Sequence, residues 1–204
     1  LLLGGSAFVI TSRFLYKENH DNAMQRLFLI ESYFEIVLEE IDTLNIMIAT
    51  NSEIINRLGS ILNSTAWTLE ETKNIQRIRS YISAPVNARQ HIESIYILLE
   101  NNKSNVLTSF NSVMSIADMH DKSWYDSYTE NNQHKSLWVE SRRIPKYDIK
   151  NKTEDVITVY RNIYNSVGRR IGVIVLNLLS NAIKADLLEK QILKGESIII
   201  YDEN

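Results

Sequence analysis

The histidines of this chain are the first residues to consider for chemistry, and their spacing does not build a site. His20, His91, His120 and His134 are scattered, with no His-x-x-x-His or Glu-x-x-His pair that would place two metal ligands on one helix face. The chain has no Cys, which removes thiolate ligands, cysteine nucleophiles and disulfides. It also has no GxSxG, Walker or GxGxxG sequence. We therefore predict a chain without catalytic residues, metal or cofactor.

Three aspartates, Asp118, Asp121 and Asp126, lie close together in the sequence and are able to flank a cation. Their spacing is not that of an EF-hand loop. An acidic, solvent-facing start of a helix is the interpretation we prefer.

Residues 177–184 read NLLSNAIK, which is similar to the N-box of histidine-kinase ATP-binding domains, where an Asn coordinates the magnesium of ATP. That chemistry also requires a DxGxG turn and a glycine-rich lid, and neither follows in the sequence. The preceding run IGVIV, residues 171–175, is β-branched and favours a strand. An ATP-binding fragment that uses Asn177 and Asn181 remains the alternative hypothesis.

The composition limits the classes of protein to which the chain can belong. Its 204 residues carry 22 Lys and Arg against 25 Asp and Glu. This balance argues against a dedicated nucleic-acid binder, which has a strongly basic domain. Only six Gly and two Pro are present, so we expect few tight turns and long regular elements.

The first ten residues, LLLGGSAFVI, are apolar or small. A membrane-spanning helix needs about 20 apolar residues, so this run fits only the last half of one. Phe14 and Tyr16, beside Arg13 and Lys17, are the residue types found at a membrane interface. We predict that residues 1–16 are the end of a transmembrane segment that holds the chain at the cell membrane.

A long helix follows. Apolar residues recur at alternating spacings of three and four, which is a heptad pattern: Leu27, Ile30, Phe34, Val37, Ile41, Leu44 and Ile48. No Gly or Pro interrupts residues 17–58, so we predict a helical spine there that Gly59 ends. A seam of this kind is able to form a homodimer. Thr68 and Glu71 form a capping box for a second helix over 69–81, which Pro85 ends.

Beyond His91 the pattern becomes that of strands. Residues 91–100 and 106–110 predict a hairpin across a polar turn at 101–105, and residues 137–142, 156–164 and 171–179 are three further strand candidates. The turn-forming residues 165–168 join the last two. Residues 118–130 predict a short helix and loop.

This order of elements resembles a Cache sensor domain, an extracellular, Per-Arnt-Sim-like domain of bacterial histidine kinases, chemoreceptors and membrane-anchored AraC-type regulators. The resemblance rests on the long helix, the pair Trp124 and Tyr125, the Trp138 strand and the phrases ITVYRNIY and RRIGVIVLNLL. It implies an α+β fold in which the spine, within residues 17–90, packs against an antiparallel sheet in a lobe of residues 91–190. Residues 191–204 resemble the first strand of a second, membrane-proximal lobe.

The resemblance also implies where a ligand binds, which is between the sheet and the helix-loop insertion. Some members that bind amino acids carry an Arg two residues before the Trp-Tyr pair, and here Lys122 has that position. Stacking of a sugar on an aromatic ring is an equally reasonable chemistry. By strand alternation Tyr160, Asn162 and Tyr164 share one face, as do Trp138, Glu140 and Arg142. The predicted ligand-binding residues are Lys122, Trp124, Tyr125, Trp138, Arg142, Tyr160 and Asn162.

From the sequence we therefore expect an extracellular sensor domain of a membrane signal-transduction receptor. It binds a small molecule, a sugar or an amino acid, and relays the signal through the long helix. The full-length protein would carry a histidine kinase or a transcription regulator as its output module. A purely structural, oligomerising stalk is a third hypothesis.

Overall fold

A computed structural model describes residues 2–64, 68–100, 105–110, 113–130, 136–146, 152–190 and 192. The chain begins with three helices, α1 (Leu2–Ala49), α2 (Ser52–Asn63) and α3 (Leu69–Ala88). Three strands follow, β1 (Ile92–Leu99), β2 (Asn105–Thr108) and β3 (Val113–Ser115), then a 3₁₀ turn (Ile116–Asp118) and α4 (Ser123–Glu130). The last elements are β4 (Ser136–Pro145), β5 (Thr153–Tyr164), β6 (Arg170–Leu179) and α5 (Ser180–Glu189). The predicted α+β class is confirmed.

The chain divides into two compact units. One consists of residues 1–40 and 184–204, and the other of residues 41–183, which contain α2, α3, α4 and the whole sheet. In the first unit, Tyr33 of α1 donates a hydrogen bond to the carboxylate of Asp186 on α5. Lys190 lies 2.8 Å from the same carboxylate and 4.7 Å above the Tyr33 ring.

Two predicted helix ends are wrong. The spine breaks at residues 50 and 51 rather than at Gly59, because the Asn51 side chain accepts a hydrogen bond from the Ile54 amide at 3.0 Å and so begins a new helix. Gly59 lies inside α2. Likewise α3 begins at the predicted capping box of Thr68 and Glu71 but continues through Pro85 to Ala88. The Pro85 carbonyl accepts from the Arg89 amide, which caps the last turn.

The heptad seam is largely confirmed by burial. Ile30, Val37, Ile41, Leu44 and Ile48 are all buried, whereas Leu27 is 56% exposed and Phe34 is half-buried. Within the described residues, no helix contains an apolar stretch long enough to span a membrane. The predicted segment 191–204 lies outside the described residues except for Ile192.

The six strands form one antiparallel sheet in the order β3-β2-β1-β6-β5-β4. The five predicted strands are confirmed, the three-residue β3 was not predicted, and residues 101–104 of the predicted turn lie outside the described residues. Between β5 and β6 the Asn165 side chain accepts from the amides of Val167 and Arg169, and Gly168 has a φ of 77°. Gly172 is required because a Cβ there would lie 2.7 Å from the Leu98 carbonyl oxygen.

One face of the sheet carries helices. In the second unit, α2 packs on β6, while α3 packs on β1 and β2. The side chains of Ile54, Leu58, Ile75, Ile78 and Ile82 bury the apolar faces of these two helices. This face is therefore filled by aliphatic packing, and the other face of the sheet is left for α4.

Candidate functional site

The site is built from three rows of side chains that run across β1, β6 and β5. Residues paired in an antiparallel sheet point to the same face, and every second residue along a strand does so too. The observed register therefore stacks one polar row, one aromatic row and one mixed row on the face opposite α2 and α3: Ser94–Asn177–Thr158, Tyr96–Val175–Tyr160 and Leu98–Val173–Asn162.

A β-bulge decides which residues of β4 reach this face. Val139 pairs with Thr158, but Arg142 pairs with Val156, so three residues of β4 span two residues of β5. Arg142 consequently points to the same face as Thr158. Trp138 pairs with Val159, whose side chain points the other way, and it is 37% exposed. The prediction that Trp138 and Arg142 share a face is wrong because the alternation is interrupted between them.

The short helix α4 covers the aromatic row. Trp124 and Tyr128 are buried in one hydrophobic cluster with Tyr96 and Tyr160 of the sheet. The ring centroids of Tyr128 and Tyr160 are 5.3 Å apart in an edge-to-face arrangement, and those of Tyr96 and Trp124 are 6.5 Å apart. Pairs of this kind contribute about 0.5–1.5 kcal/mol each beyond their burial. The aromatic cluster thus holds α4 on the sheet.

Arg142 connects the polar row to the loop before α4. Its guanidinium forms a two-pronged pair with the Asp121 carboxylate, with 2.9 Å between Nη2 and Oδ2, and the Asp121 side chain is fully buried. The remaining donors reach the hydroxyls of Thr158 at 2.9 Å and Ser123 at 2.8 Å, and Asn177 Oδ1 at 2.9 Å. Every nitrogen of Arg142 is therefore engaged by a neighbouring side chain.

Asn177 extends this network across the sheet. Its Oδ1 also accepts from the Thr158 hydroxyl at 2.7 Å, and its Nδ2 donates to Ser94 Oγ at 3.0 Å. The Ser94 hydroxyl lies 3.0 Å from Tyr96 Oη. Burial raises the pKa of Tyr96, and the Asp121 charge adds to that effect, so the phenol keeps its proton. Buried polar groups that are all paired in this way make a rigid network.

A second ion pair lies at the rim of the aromatic cluster. Tyr128 Oη donates to Glu100 Oε1 at 3.2 Å, Arg170 Nε lies 2.8 Å from the same oxygen, and the Arg170 guanidinium is 5.8 Å from the Tyr128 ring centroid. Burial raises the pKa of Tyr128. Neither Glu100 nor Arg170 has a sequence signal that separates it from an ordinary strand-end residue.

The structure brings together five of the seven predicted ligand-binding residues. Trp124, Tyr160 and Asn162 are buried on the site face, Tyr125 is half-buried against Trp124, and Arg142 is in the network. Lys122 is exposed and its ammonium donates to the Ala117 carbonyl. Their role in binding remains a prediction, and Lys122 and Trp138 are the two that lie apart from the cluster.

Two residues that carry the network were considered in the sequence for other chemistry. Asp121 is not part of a cation site, because it pairs with Arg142, and within the described residues no three His, Asp or Glu side chains are grouped as metal ligands. Asn177 lies on β6 and is fully buried, while α5 begins at Ser180, so the NLLSNAIK string is divided between a strand and a helix. The N-box interpretation needs one helix there.

The indole nitrogen of Trp124 is a buried donor without an acceptor among the described residues. The Trp124 side chain is fully buried. An unpaired buried donor costs about 1–3 kcal/mol. A ligand oxygen placed against Nε1 would remove that cost.

Comparison with solved structures identifies the fold. The chain is similar to the extracellular domain of a protein assigned as the histidine kinase vpHK1S-Z8, with a TM-score of 0.61, 11% identity and coverage of 84% of this chain and 62% of that one. The sensory domain of the Campylobacter jejuni chemoreceptor Tlp3 with isoleucine bound has a TM-score of 0.56 and 19% identity, and the match covers 84% of this chain and 63% of that one. The periplasmic domain of Vibrio cholerae LuxQ has a TM-score of 0.54 and 14% identity, and the match covers 81% of this chain and 69% of that one.

These neighbours confirm the predicted fold class, a long N-terminal helix with a Per-Arnt-Sim-like antiparallel sheet. The chain spans somewhat less than two thirds of the length of the first structures it matches. No protein-family model and no curated protein matches its sequence.

Proposed function

We propose that this chain is the extracytoplasmic, non-catalytic sensory domain of a membrane receptor, and that it binds a free amino acid between the sheet and α4. The observation that carries the proposal is the buried Asp121–Arg142 pair beside an aromatic cluster that contains an unpaired indole donor. The bound isoleucine of the Tlp3 sensory domain supports this ligand class, because that domain has the same fold.

The charges of the site favour an amino acid over a sugar. Removing one partner of a buried ion pair leaves a charge uncompensated, at a cost of about 3–5 kcal/mol. A zwitterion avoids that cost because its carboxylate replaces Asp121 at Arg142 while its ammonium replaces Arg142 at Asp121. A neutral sugar that separates the pair has no charge to offer to either residue.

The relay would begin on β5. Tyr160 and Asn162 point to the site, while Arg161 between them points to the other face and pairs with Asp42 of α1. A ligand that binds one position of β5 better than another shifts the equilibrium between the two positions. The Arg161–Asp42 pair would transfer that shift to the long helix.

Calorimetric titration of the isolated chain with the twenty amino acids, and with glucose and ribose, tests the proposal. We expect at least one amino acid to bind, and Asp121→Asn and Trp124→Phe each to weaken that binding by about tenfold or more. Binding of sugars alone at this site, or unchanged affinity in both variants, contradicts it.

A matched control lies next to the site. Arg143 and Asp155 form an ion pair on the same two strands, with 70% and 39% of their side chains exposed. Asp155→Asn changes charge and shape as Asp121→Asn does, but away from the site face. It should leave amino-acid affinity unchanged, and this separates a local effect from a general effect of charge.

Membrane attachment through residues 1–16 and dimerisation through α1 remain predictions of this proposal. Five exposed apolar residues of α1, Met24, Leu27, Phe28, Leu29 and Ile36, support a partner for that helix. Sedimentation of the chain with Phe28→Lys and Ile36→Lys, compared with the unchanged chain, tests the dimer. A monomer at all concentrations before substitution contradicts it.

A further inference from the structure

A second concave site lies on the helical side of the sheet, within the unit of residues 41–183. It is an open groove with a volume of about 810 Å³, formed by the end of α1, one face of α2 and the β5–β6 hairpin. Sites for small ligands have volumes of about 300–1,000 Å³. Apart from Asn162, none of the residues that line this groove belongs to the three rows of the site beneath α4.

The groove combines apolar wall residues, which include Ile46, Ala49 and Ile55, with neutral polar groups. The neutral polar groups are the amide side chains of Asn56, Asn63 and Asn165 and hydroxyls that include those of Ser52 and Ser60. Such groups both donate and accept hydrogen bonds, as sugar hydroxyls do. The ring of Tyr164 is 39% exposed at the groove and offers an aromatic face to the C–H side of a sugar.

One charged side chain lines the groove, and its charge is already compensated. Arg161 pairs with Asp42, so its positive charge does not require an anionic ligand. Arg161 Nε is nevertheless a buried donor without an acceptor among the described residues. A neutral ligand oxygen satisfies such a donor without bringing a second charge.

Gly59 gives independent support for an occupant. It lies in the middle of α2, where Gly is less favourable than Ala, and nothing lies within 4 Å of the position that a Cβ would take. Neither a positive φ nor close packing therefore requires glycine there. Gly59 forms part of the groove wall, so a side chain at this position would protrude into the groove.

We infer that this groove binds a neutral saccharide, at a site separate from the one beneath α4. The amides and hydroxyls pair with sugar hydroxyls, Tyr164 stacks on the ring, and Gly59 leaves the space that the ligand occupies. The inference does not depend on an amino acid as the ligand of the other site.

Titration of the chain with glucose, galactose, mannose, ribose, maltose and lactose at millimolar concentration, followed by amide NMR, tests the inference. We expect at least one of these sugars to shift the side-chain amide signals of Asn56 and Asn63. Gly59→Phe fills the groove and should weaken that binding by about tenfold or more. Gly59→Ala should keep the binding and raise the melting temperature, which shows that the helix accepts a side chain there.

The control is Gln76→Phe, which adds the same ring at an exposed position of α3 outside the groove and should change the sugar affinity by less than about twofold. Trp124→Phe, in the other site, should leave sugar binding unchanged. The inference is overturned if none of the six sugars binds, if Gly59→Phe leaves binding intact, or if Trp124→Phe abolishes it. Loss of amino-acid binding in Trp124→Phe with sugar binding retained separates the two sites.

Discussion

The Asp121–Arg142 pair offers the sharpest test of how the site is held together. Arg142→Met removes the only cation that contacts the buried Asp121 carboxylate among the described residues, and it leaves the hydroxyl of Thr158 and Oδ1 of Asn177 without that donor. A buried charge that loses its partner costs about 3–5 kcal/mol. For a chain of this size each kcal/mol lowers the melting temperature by about 2–4 °C, so we expect a decrease of about 6–20 °C.

The second half of this test removes the carboxylate as well. Because the double variant Arg142→Met, Asp121→Leu retains neither charge of this buried pair, it should be more stable than Arg142→Met alone. The coupling energy, measured by urea unfolding of the wild type, both single variants and the double variant, should be at least about 2 kcal/mol. Arg143→Met, which breaks the exposed pair with Asp155, is the control and should leave stability unchanged.

Two results would refute the reasoning. Single-variant effects that add in the double variant would mean that the two side chains do not interact in the folded protein. A loss on Arg142→Met no larger than that on Arg143→Met would mean that Asp121 is solvated.

Three further predictions concern stability. Asn45 is fully buried and neither side-chain polar atom has a partner among the described residues, so Asn45→Leu should raise the free energy of unfolding by about 1–3 kcal/mol in urea; a decrease contradicts this. Asn51→Ala removes the cap of α2 and should cost about 1 kcal/mol, whereas Asn51→Gly should cost only a few tenths. Burial lowers the pKa of His120 from its ordinary 6.5, so the unfolded chain binds that proton more readily. Stability should therefore fall as the pH drops below about 6.5, and His120→Gln should reduce this decrease in thermal unfolding measured from pH 8 to pH 5.

The sequence was informative about the elements and less so about their ends. The heptad spacing of α1, the Thr68–Glu71 capping box and the β-branched runs of β1, β5 and β6 are local patterns, and the structure confirms them. Near Asn51 and Pro85, whether a helix ends depends on the balance between a signal that ends it, a side-chain cap or a Pro, and the residues that continue it. A side-chain cap at Asn51 interrupts residues 17–58, which contain no Gly or Pro, whereas a single Pro fails to end α3.

The candidate site shows the same limit. Strand alternation correctly placed Tyr160 and Asn162 on one face, but it failed for Trp138 because a bulge in β4 depends on how two strands pair. Asp121 and Arg142 are 21 residues apart, and Asn177 is 35 residues beyond Arg142. No local pattern relates residues at such separations, so the sequence offered a solvent-facing helix start or a cation for Asp121, and ATP as the alternative for Asn177.

The sequence by itself determined that this is an α+β chain in which a long helix precedes a series of strands, without thiol chemistry. Those properties follow from composition and from the repeat of apolar residues, every two residues in a strand and every 3.6 in a helix, which depends only on residues close in sequence. Only the tertiary structure decided that Arg142 pairs with Asp121, that the indole donor of Trp124 is buried without an acceptor among the described residues, and that Gly59 lines a groove. Each of these depends on which strands and helices meet, and that is set by the burial of the whole apolar surface at once.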